Sequence, residues 1–263
     1  MTWVCPEWDI PTLIAKARAY GYQGVELRVE CKHRHGVELE AAPDHLKWVK
    51  ASFADAHVEL PCLAISQRFS SPDTQERKAQ VDRTKRYVEL AATLGVSSLR
   101  VFGGRLSPGI SRELARQYIA EALREVAEFA DSQNVNIALE THDDWGRSKD
   151  VVTVIETARH PRVKCVWDIL HPVSHGESLA ETFEQLKSHV VHCHIHDGIK
   201  KNGNWDTALL GEGSIDHCEV MRLLRSIDFD GHLSGEFINY LPPDVVLPQY
   251  ANKLREYEKK VYG

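Results

Sequence analysis

Short β-prone runs alternate with amphipathic helical stretches along the whole chain, and no other feature narrows the fold as far. The predicted strands cover 2–5, 24–29, 59–66, 98–103, 135–141, 163–169, 190–196 and 231–237. Helical spacing fills the gaps, as in 111–132, where Leu114, Tyr118, Ala122, Val126 and Phe129 share one face. Ser178 with Glu181 reads as a capping box, and Gly21 and Gly95 sit where helices should stop. Eight strand–helix repeats in 263 residues predict one domain, a (β/α)8 TIM barrel. An open doubly wound sheet fits less well, because no G-x-G-x-x-G follows the first strand. That first strand is expected to be very short, since Pro6 follows it closely, or to be the end of a longer natural strand.

Composition removes several function classes. A net charge of −6 gives no attraction to nucleic acid or to an anionic membrane, and neither partner is expected. The longest apolar runs are too short to span a bilayer, so no membrane association is expected. The opening MTWVCPEWDI lacks a basic and an apolar leader region, which predicts no signal peptide. Cys5, Cys31, Cys62, Cys165, Cys193 and Cys218 are scattered without a C-x-x-C pair, as reduced thiols of a cytoplasmic protein would be.

The polar residues are less ordinary. In VVHCHIHDG (190–198), His192, His194 and His196 share one face of a strand, while Val191, Cys193 and Ile195 share the other. A lone histidine there would be a satisfied core residue, but three in a row suggest a site. The same asymmetry recurs in three more strands. Asn136, Ala138, Glu140 and His142 oppose Ile137 and Leu139; Lys164, Val166 and Asp168 oppose Val163, Cys165 and Trp167. His232, Ser234 and Glu236 oppose Leu233 and Phe237. Glu140, Asp168, His194 and Glu236 therefore gather at the C-terminal ends of four consecutive strands, the rim where barrel enzymes keep their active sites.

Taken singly, each of these residues could be a cap or a turn. Taken together, three carboxylates at one mouth repel unless a cation offsets them. Three carboxylates and one imidazole form a hard ligand set, suited to Mn²⁺ or Mg²⁺, with Co²⁺, Fe²⁺ or Zn²⁺ also able to occupy it.

At this point the chain resembles the sugar phosphate isomerase/epimerase families with a xylose isomerase-like barrel. The landmarks are GYQGVELR (21–28), ALETH (138–142), WDILHP (167–172), HIHDG (194–198), LGEGSID (210–216) and GHLSGEF (231–237). The resemblance implies that Glu140, Asp168, His194 and Glu236 ligate one divalent metal ion, with Asp168 opening a D-x-x-H element and His194 an H-x-x-D element. It also implies that Glu140 and Glu236 are the catalytic acid and base, and that His171 contacts substrate or supports the site. His196, one step above His194, is expected to line the substrate site, and His192, one step deeper, to be a packed core histidine.

The implied chemistry is proton transfer at a carbon beside a carbonyl, through a metal-stabilised enediolate, on a sugar, sugar phosphate or cyclitol. Return of the proton to the opposite face gives epimerisation, and return to the neighbouring carbon gives isomerisation. Loss of a β-hydroxyl gives dehydration, as in inosose and dehydroshikimate dehydratases of the same superfamily. The ligand set does not separate these outcomes.

On the substrate side, Glu26, Arg28, Arg100 and Phe102 should point inward. Arg28 or Arg105 either meets an anionic group or pairs with Glu26 and its neighbours. Trp8, Trp145 and Trp205 offer an apolar wall for a sugar ring, with buried packing as the ordinary role of any one of them. The segment 199–214 is long enough for a lid or for an ordinary surface loop.

An apurinic-site endonuclease shares this barrel and the four ligand positions, but adds a D-x-H after the seventh strand. Here Asp206 has no histidine two residues later, and the negative net charge argues against DNA. A non-catalytic sugar-binding role would fit a chain that had lost a ligand position, and none is lost. Homo-oligomers are common in the group and are a further expectation here.

Overall fold

Polar side chains start most of the helices and set the frame. In the computed structural model, which describes residues 1–237 and 240–263, Asp9 accepts the Thr12 N–H at 3.0 Å and opens α1 (Ile10–Tyr20). Pro43 starts α2 (Pro43–Asp55), and Asp73 takes the N–H groups of Gln75 and Glu76 at the start of α3 (Thr74–Leu94). Ser111 caps α4 (Arg112–Asp131), which is followed by α5 (Ser148–Ala158) and the short α6 (Leu170–Ser174). The predicted Ser178–Glu181 capping box opens α7 (Leu179–Leu186). Asp216 caps α8 (His217–Arg225), and Pro243 begins α9 (Pro243–Tyr262).

Seven parallel strands lie between these helices. They are β1 (Leu27–Arg28), β2 (Leu63–Arg68), β3 (Ser98–Phe102), β4 (Asn136–Glu140), β5 (Val163–Asp168) and β6 (Val190–Ile195), then, after a separate hairpin, β9 (Leu233–Gly235). They pair in the order β1-β2-β3-β4-β5-β6-β9, a curled sheet with the helices outside it. Side chains on one face, such as Leu63, Leu99, Val101, Ile137, Leu139, Trp167 and Cys193, form the core with Val49, Phe53, Leu123, Val126 and Phe183 of the helices. Each such residue contributes about 1.5–3 kcal/mol by leaving water.

The predicted strand at 2–5 is a single 3-10 turn, Thr2–Val4. Pro6 has no N–H to extend a ladder, and the segment turns back through the Cys5 N–H to the Thr2 carbonyl at 3.1 Å. The turn still occupies the eighth position of the barrel. The Met1 nitrogen donates to the Gly235 carbonyl at 2.8 Å, and the Thr2 N–H donates to the Glu26 carbonyl at 3.0 Å. The Arg28 N–H donates to Thr2 Oγ1 at 2.8 Å, so this turn bridges β9 and β1.

The segment expected as a loop at 199–214 begins with an antiparallel hairpin, β7 (Asp197–Lys201) and β8 (Asn204–Ala208). Its turn, Asn202-Gly203, has φ of 50° and 85°, the left-handed pair that a two-residue hairpin turn needs. Among the described residues no helix is long and apolar enough to cross a membrane. The six cysteines are all free.

Candidate metal centre

The histidine row of β6, continued by His196 just beyond the strand, points into the barrel, and each of its members meets a carboxylate. His192 Nε2 lies 3.1 Å from Glu26 Oε2 and 3.0 Å from Ser234 Oγ. His194 Nδ1 lies 2.6 Å from Glu140 Oε1 and 2.9 Å from Glu236 Oε2, while its Nε2 lies 3.1 Å from both Glu26 oxygens. His196 Nε2 donates to Asp168 Oδ1 at 2.9 Å. The barrel interior at this level is therefore ionic rather than apolar.

Four of the predicted residues converge. Glu140 ends β4, Asp168 ends β5, His194 stands in β6 opposite Asp168, and Glu236 follows β9. Each offers one ligand atom, and these atoms all lie within 4.8 Å of one another. Asp168 is held firmly. Its N–H donates to Thr141 Oγ1 at 3.0 Å, and the same hydroxyl donates to its carbonyl at 3.0 Å. Its Oδ1 also accepts the Leu170 and His171 N–H groups at 2.9 and 3.2 Å.

Asp168 Oδ2 is buried without a hydrogen bond of its own, although the His196 Nε2–H that donates to Oδ1 also lies 2.9 Å from it. Glu140 Oε2 is likewise buried without a hydrogen bond, its ion-pair contact being Arg100 Nε at 3.4 Å. Two such acceptors in one pocket, beside an imidazole and a third carboxylate, fit a divalent cation with ligand bonds of about 2.0–2.6 Å.

The site carries strong fields. Burial pushes the Glu26 carboxyl up, but the charges of His194 and His192 outweigh it and hold the group well below its ordinary value. Burial pushes His194 down, and Glu26, Glu140 and Glu236 together hold it well above the ordinary imidazole value. Asp168 is lowered in the same way, against burial, by His196 and His171, and Glu236 falls to about 2 under the influence of His194 and Arg100. A cation bound on the Nδ1 side would displace the proton that His194 otherwise carries.

The remaining predicted residues are placed in different ways. Arg100 is fully buried beneath the quartet, with Nε 3.4 Å from Glu140 Oε2, Nη1 donating to the Ile65 carbonyl at 3.0 Å, and its guanidinium 4.1 Å from the Phe102 ring centre. It is a fixed positive charge among Glu140, Glu236 and Glu26. Arg28 is also buried. Its Nη1 donates to the carbonyls of Val29 and Ala64 at 2.5 and 2.8 Å, and its Nη2 to Ser66 Oγ.

His171 and His196 stand near each other above the quartet, with ring centres 6.1 Å apart. His171 is also 4.3 Å from His142, which in turn packs at 4.6 Å on Phe102. These rings form one half-buried wall of the mouth. Trp205, on β8, is partly buried against the core. Trp145 is fully buried in a 3-10 turn, Asp143–Trp145, and a Cβ on Gly103 would lie 2.3 Å from its ring. Trp145 thus exposes no ring face.

Asp197 was visible only as the end of H-x-x-D, and its contacts explain LGEGSID. Its carboxylate accepts the N–H groups of Gly198, Gly211, Gly213 and Ile215 at 2.9, 2.9, 3.0 and 3.2 Å. A Cβ on Gly213 would lie 2.0 Å from Asp197 Oδ1, so only glycine allows this approach. Asp206, the nearest match to a D-x-H, is exposed on β8 and pairs with Lys201 at 3.6 Å.

Among characterised and uncharacterised relatives, a 145-residue stretch is 28% identical to an uncharacterized protein of Methanocaldococcus jannaschii, covering 49% of this chain and 48% of that one. A 178-residue stretch is 22% identical to the 3-dehydroshikimate dehydratase of Bacillus anthracis, covering 66% of this chain and 61% of that one. The matched region thus spans about half to three-fifths of these two relatives. The fold is similar to the crystal structure of a D-tagatose 3-epimerase-like protein, at a TM-score of 0.82 and 19% identity over 99% of this chain and 96% of that one. It is also similar to the IolI protein with a bound zinc atom, at 0.81 and 19% identity over 99% and 95%. The family model for the xylose isomerase-like TIM barrel matches residues 14–257, and the chain belongs to that family.

Proposed function

We propose that this protein is a divalent-metal-dependent isomerase or epimerase of a sugar, sugar phosphate or cyclitol, acting by proton transfer beside a carbonyl. The observation that carries the reading is the quartet itself: three carboxylates and an imidazole converge while two buried carboxylate oxygens make no hydrogen bond. A bound divalent ion, with Mn²⁺ or Mg²⁺ best suited to this hard set, would supply positive charge to the substrate carbonyl as its neighbouring carbon loses a proton.

Glu140 and Glu236 reach the site from β4 and from the end of β9, with β5 and β6 between them in the sheet. In the proposed reaction one glutamate removes the carbon-bound proton and the other delivers a proton to the opposite face. Arg100 stays beneath them and balances their charge. His171, His196 and His142 provide ring N–H groups at the mouth, suited to hydroxyl groups of a small polyol-like substrate.

The test is a screen of metal-reconstituted protein in D₂O over ketoses, inososes and oxo-acids, followed by NMR. Metal-dependent deuterium incorporation at one carbon beside a carbonyl supports the reading. Loss of a β-hydroxyl instead would move the protein to the dehydratases, the activity named for the relative from Bacillus anthracis. No exchange on any carbonyl substrate with metal bound would contradict proton transfer altogether.

A further inference from the structure

Glu26 is only 2% exposed and stands one layer below the quartet, immediately before β1. A carboxylate at that depth costs several kcal/mol in desolvation unless it is paired, and an apolar side chain would fill the layer without that cost. Its partners are specific. Both oxygens lie 3.1 Å from His194 Nε2, and Oε2 lies 3.1 Å from His192 Nε2.

His194 consequently has carboxylates on both sides of its ring, and the two sides differ. The Nδ1 side faces Glu140 and Glu236 and belongs to the convergent quartet. The Nε2 side faces Glu26 alone among the carboxylates of its described contacts. A neutral imidazole carries one N–H and one lone pair. With the N–H on Nε2, it donates to Glu26 and turns the Nδ1 lone pair toward the quartet. The other tautomer would aim a lone pair at a buried carboxylate.

We propose that Glu26 is a positioning residue for the metal centre: it selects the Nε2–H tautomer of His194 and so presents Nδ1 as the ligand atom. The inference rests on the quartet being a metal site. A carboxylate behind a ligating histidine fixes ring orientation and raises its basicity, and losing such a partner costs about 10–100-fold in metal affinity. His192 and Ser234 hold the far side of the arrangement, since His192 Nε2 contacts both Glu26 Oε2 and Ser234 Oγ. This accounts for two of the three histidines of the β6 row with one glutamate.

The experiment is a Co²⁺ titration of metal-stripped wild type, Glu26→Met, Glu26→Gln and His194→Ala, read by the visible absorption of bound cobalt, with circular dichroism as the check on folding. The expected result is a loss of about 10–100-fold in affinity for Glu26→Met, partial recovery for Glu26→Gln, whose carbonyl can still accept from Nε2–H, and no binding for His194→Ala. Wild-type affinity and an unchanged spectrum in folded Glu26→Met would overturn the proposal while leaving the metal site intact. Failure of wild type to bind would overturn the metal-site reading, and this inference with it. Ring ¹⁵N NMR of Zn²⁺-loaded wild type needs no variant to fold: a proton on Nε2 with Nδ1 ligated is expected, and the reverse assignment overturns the proposal.

Discussion

Thr141 and Asp168 hold each other through one hydroxyl: Thr141 Oγ1 accepts the Asp168 N–H and donates to the Asp168 carbonyl, both at 3.0 Å. Both residues are buried, so no solvent replaces those bonds. Thr141→Val keeps the shape and removes the hydroxyl. It should destabilise the fold by about 1–3 kcal/mol, the cost of unpaired buried polar groups, and weaken metal retention because Asp168 loses its anchor. Urea denaturation and metal content of the purified variant check both parts. Unchanged values in both would remove Thr141 from the account.

Glu140 and Glu236 are expected to divide the proton work. Replacement by alanine would empty the proposed site and teach little, whereas Glu140→Gln and Glu236→Gln would keep an oxygen donor and remove the proposed base. Each metal-loaded variant should fail to take a proton from one face of the substrate, while solvent exchange can persist from the other. Deuterium exchange started from each epimer separately reports this. Near wild-type epimerisation by both variants would defeat the two-glutamate mechanism and turn attention to His171 or His196.

Acid sensitivity should come partly from His35. Its Nδ1 accepts the Val37 N–H at 3.0 Å and its Nε2 donates to the Arg28 carbonyl at 3.1 Å, so the neutral ring uses both nitrogens. Burial lowers its pKa from 6.5 to about 4. Between those values the unfolded chain binds more protons than the folded one, so stability rises with pH across that window. The contribution is present above pH 6.5 and lost as the pH falls toward 4, up to about 3 kcal/mol. Unfolding free energies at pH 7 and pH 4.5 should fall further apart in wild type than in His35→Gln. Equal pH dependence would contradict the assignment.

Asp197 should control the order of the segment that follows it. Asp197→Ala leaves four backbone N–H groups, at Gly198, Gly211, Gly213 and Ile215, without their acceptor. Hydrogen exchange should accelerate at those amides while the β4 and β5 amides keep their protection. Uniform acceleration over the barrel would mean that Asp197 supports the whole fold instead.

The barrel was legible because its signals are local and repeated. The helix read at 111–132 is Arg112–Asp131, and the strand read at 98–103 is Ser98–Phe102. Period-two alternation also assigned the inward residues of β4, β5 and β6, since a strand's faces follow from spacing alone. The misreadings came from terms that spacing does not carry. Pro6 stopped the first ladder, and the Asn202-Gly203 turn signal was hidden within a glycine-rich stretch.

Partnerships across the barrel were harder to read. Glu26 was expected to face inward, but its contacts with His192 and His194 lie 166 and 168 residues away in sequence. The sequence leaves Arg28 open to an anion or to its neighbours, and backbone carbonyls of Val29 and Ala64 hold its guanidinium, partners that side-chain pattern never names.

The central claim is that the quartet, and not the histidine row as such, holds one divalent ion. Its most direct test is the number of ions retained per chain after Mn²⁺ or Zn²⁺ loading and gel filtration, in wild type, His194→Ala and His192→Ala. His194 belongs to the quartet, while His192 lies outside it, hydrogen-bonded to Glu26 and Ser234 and edge-on to the His194 ring at 5.6 Å. The account predicts one ion in wild type, none in His194→Ala, and one in a less stable His192→Ala. No ion in wild type, or equal loss in both folded variants, would contradict it.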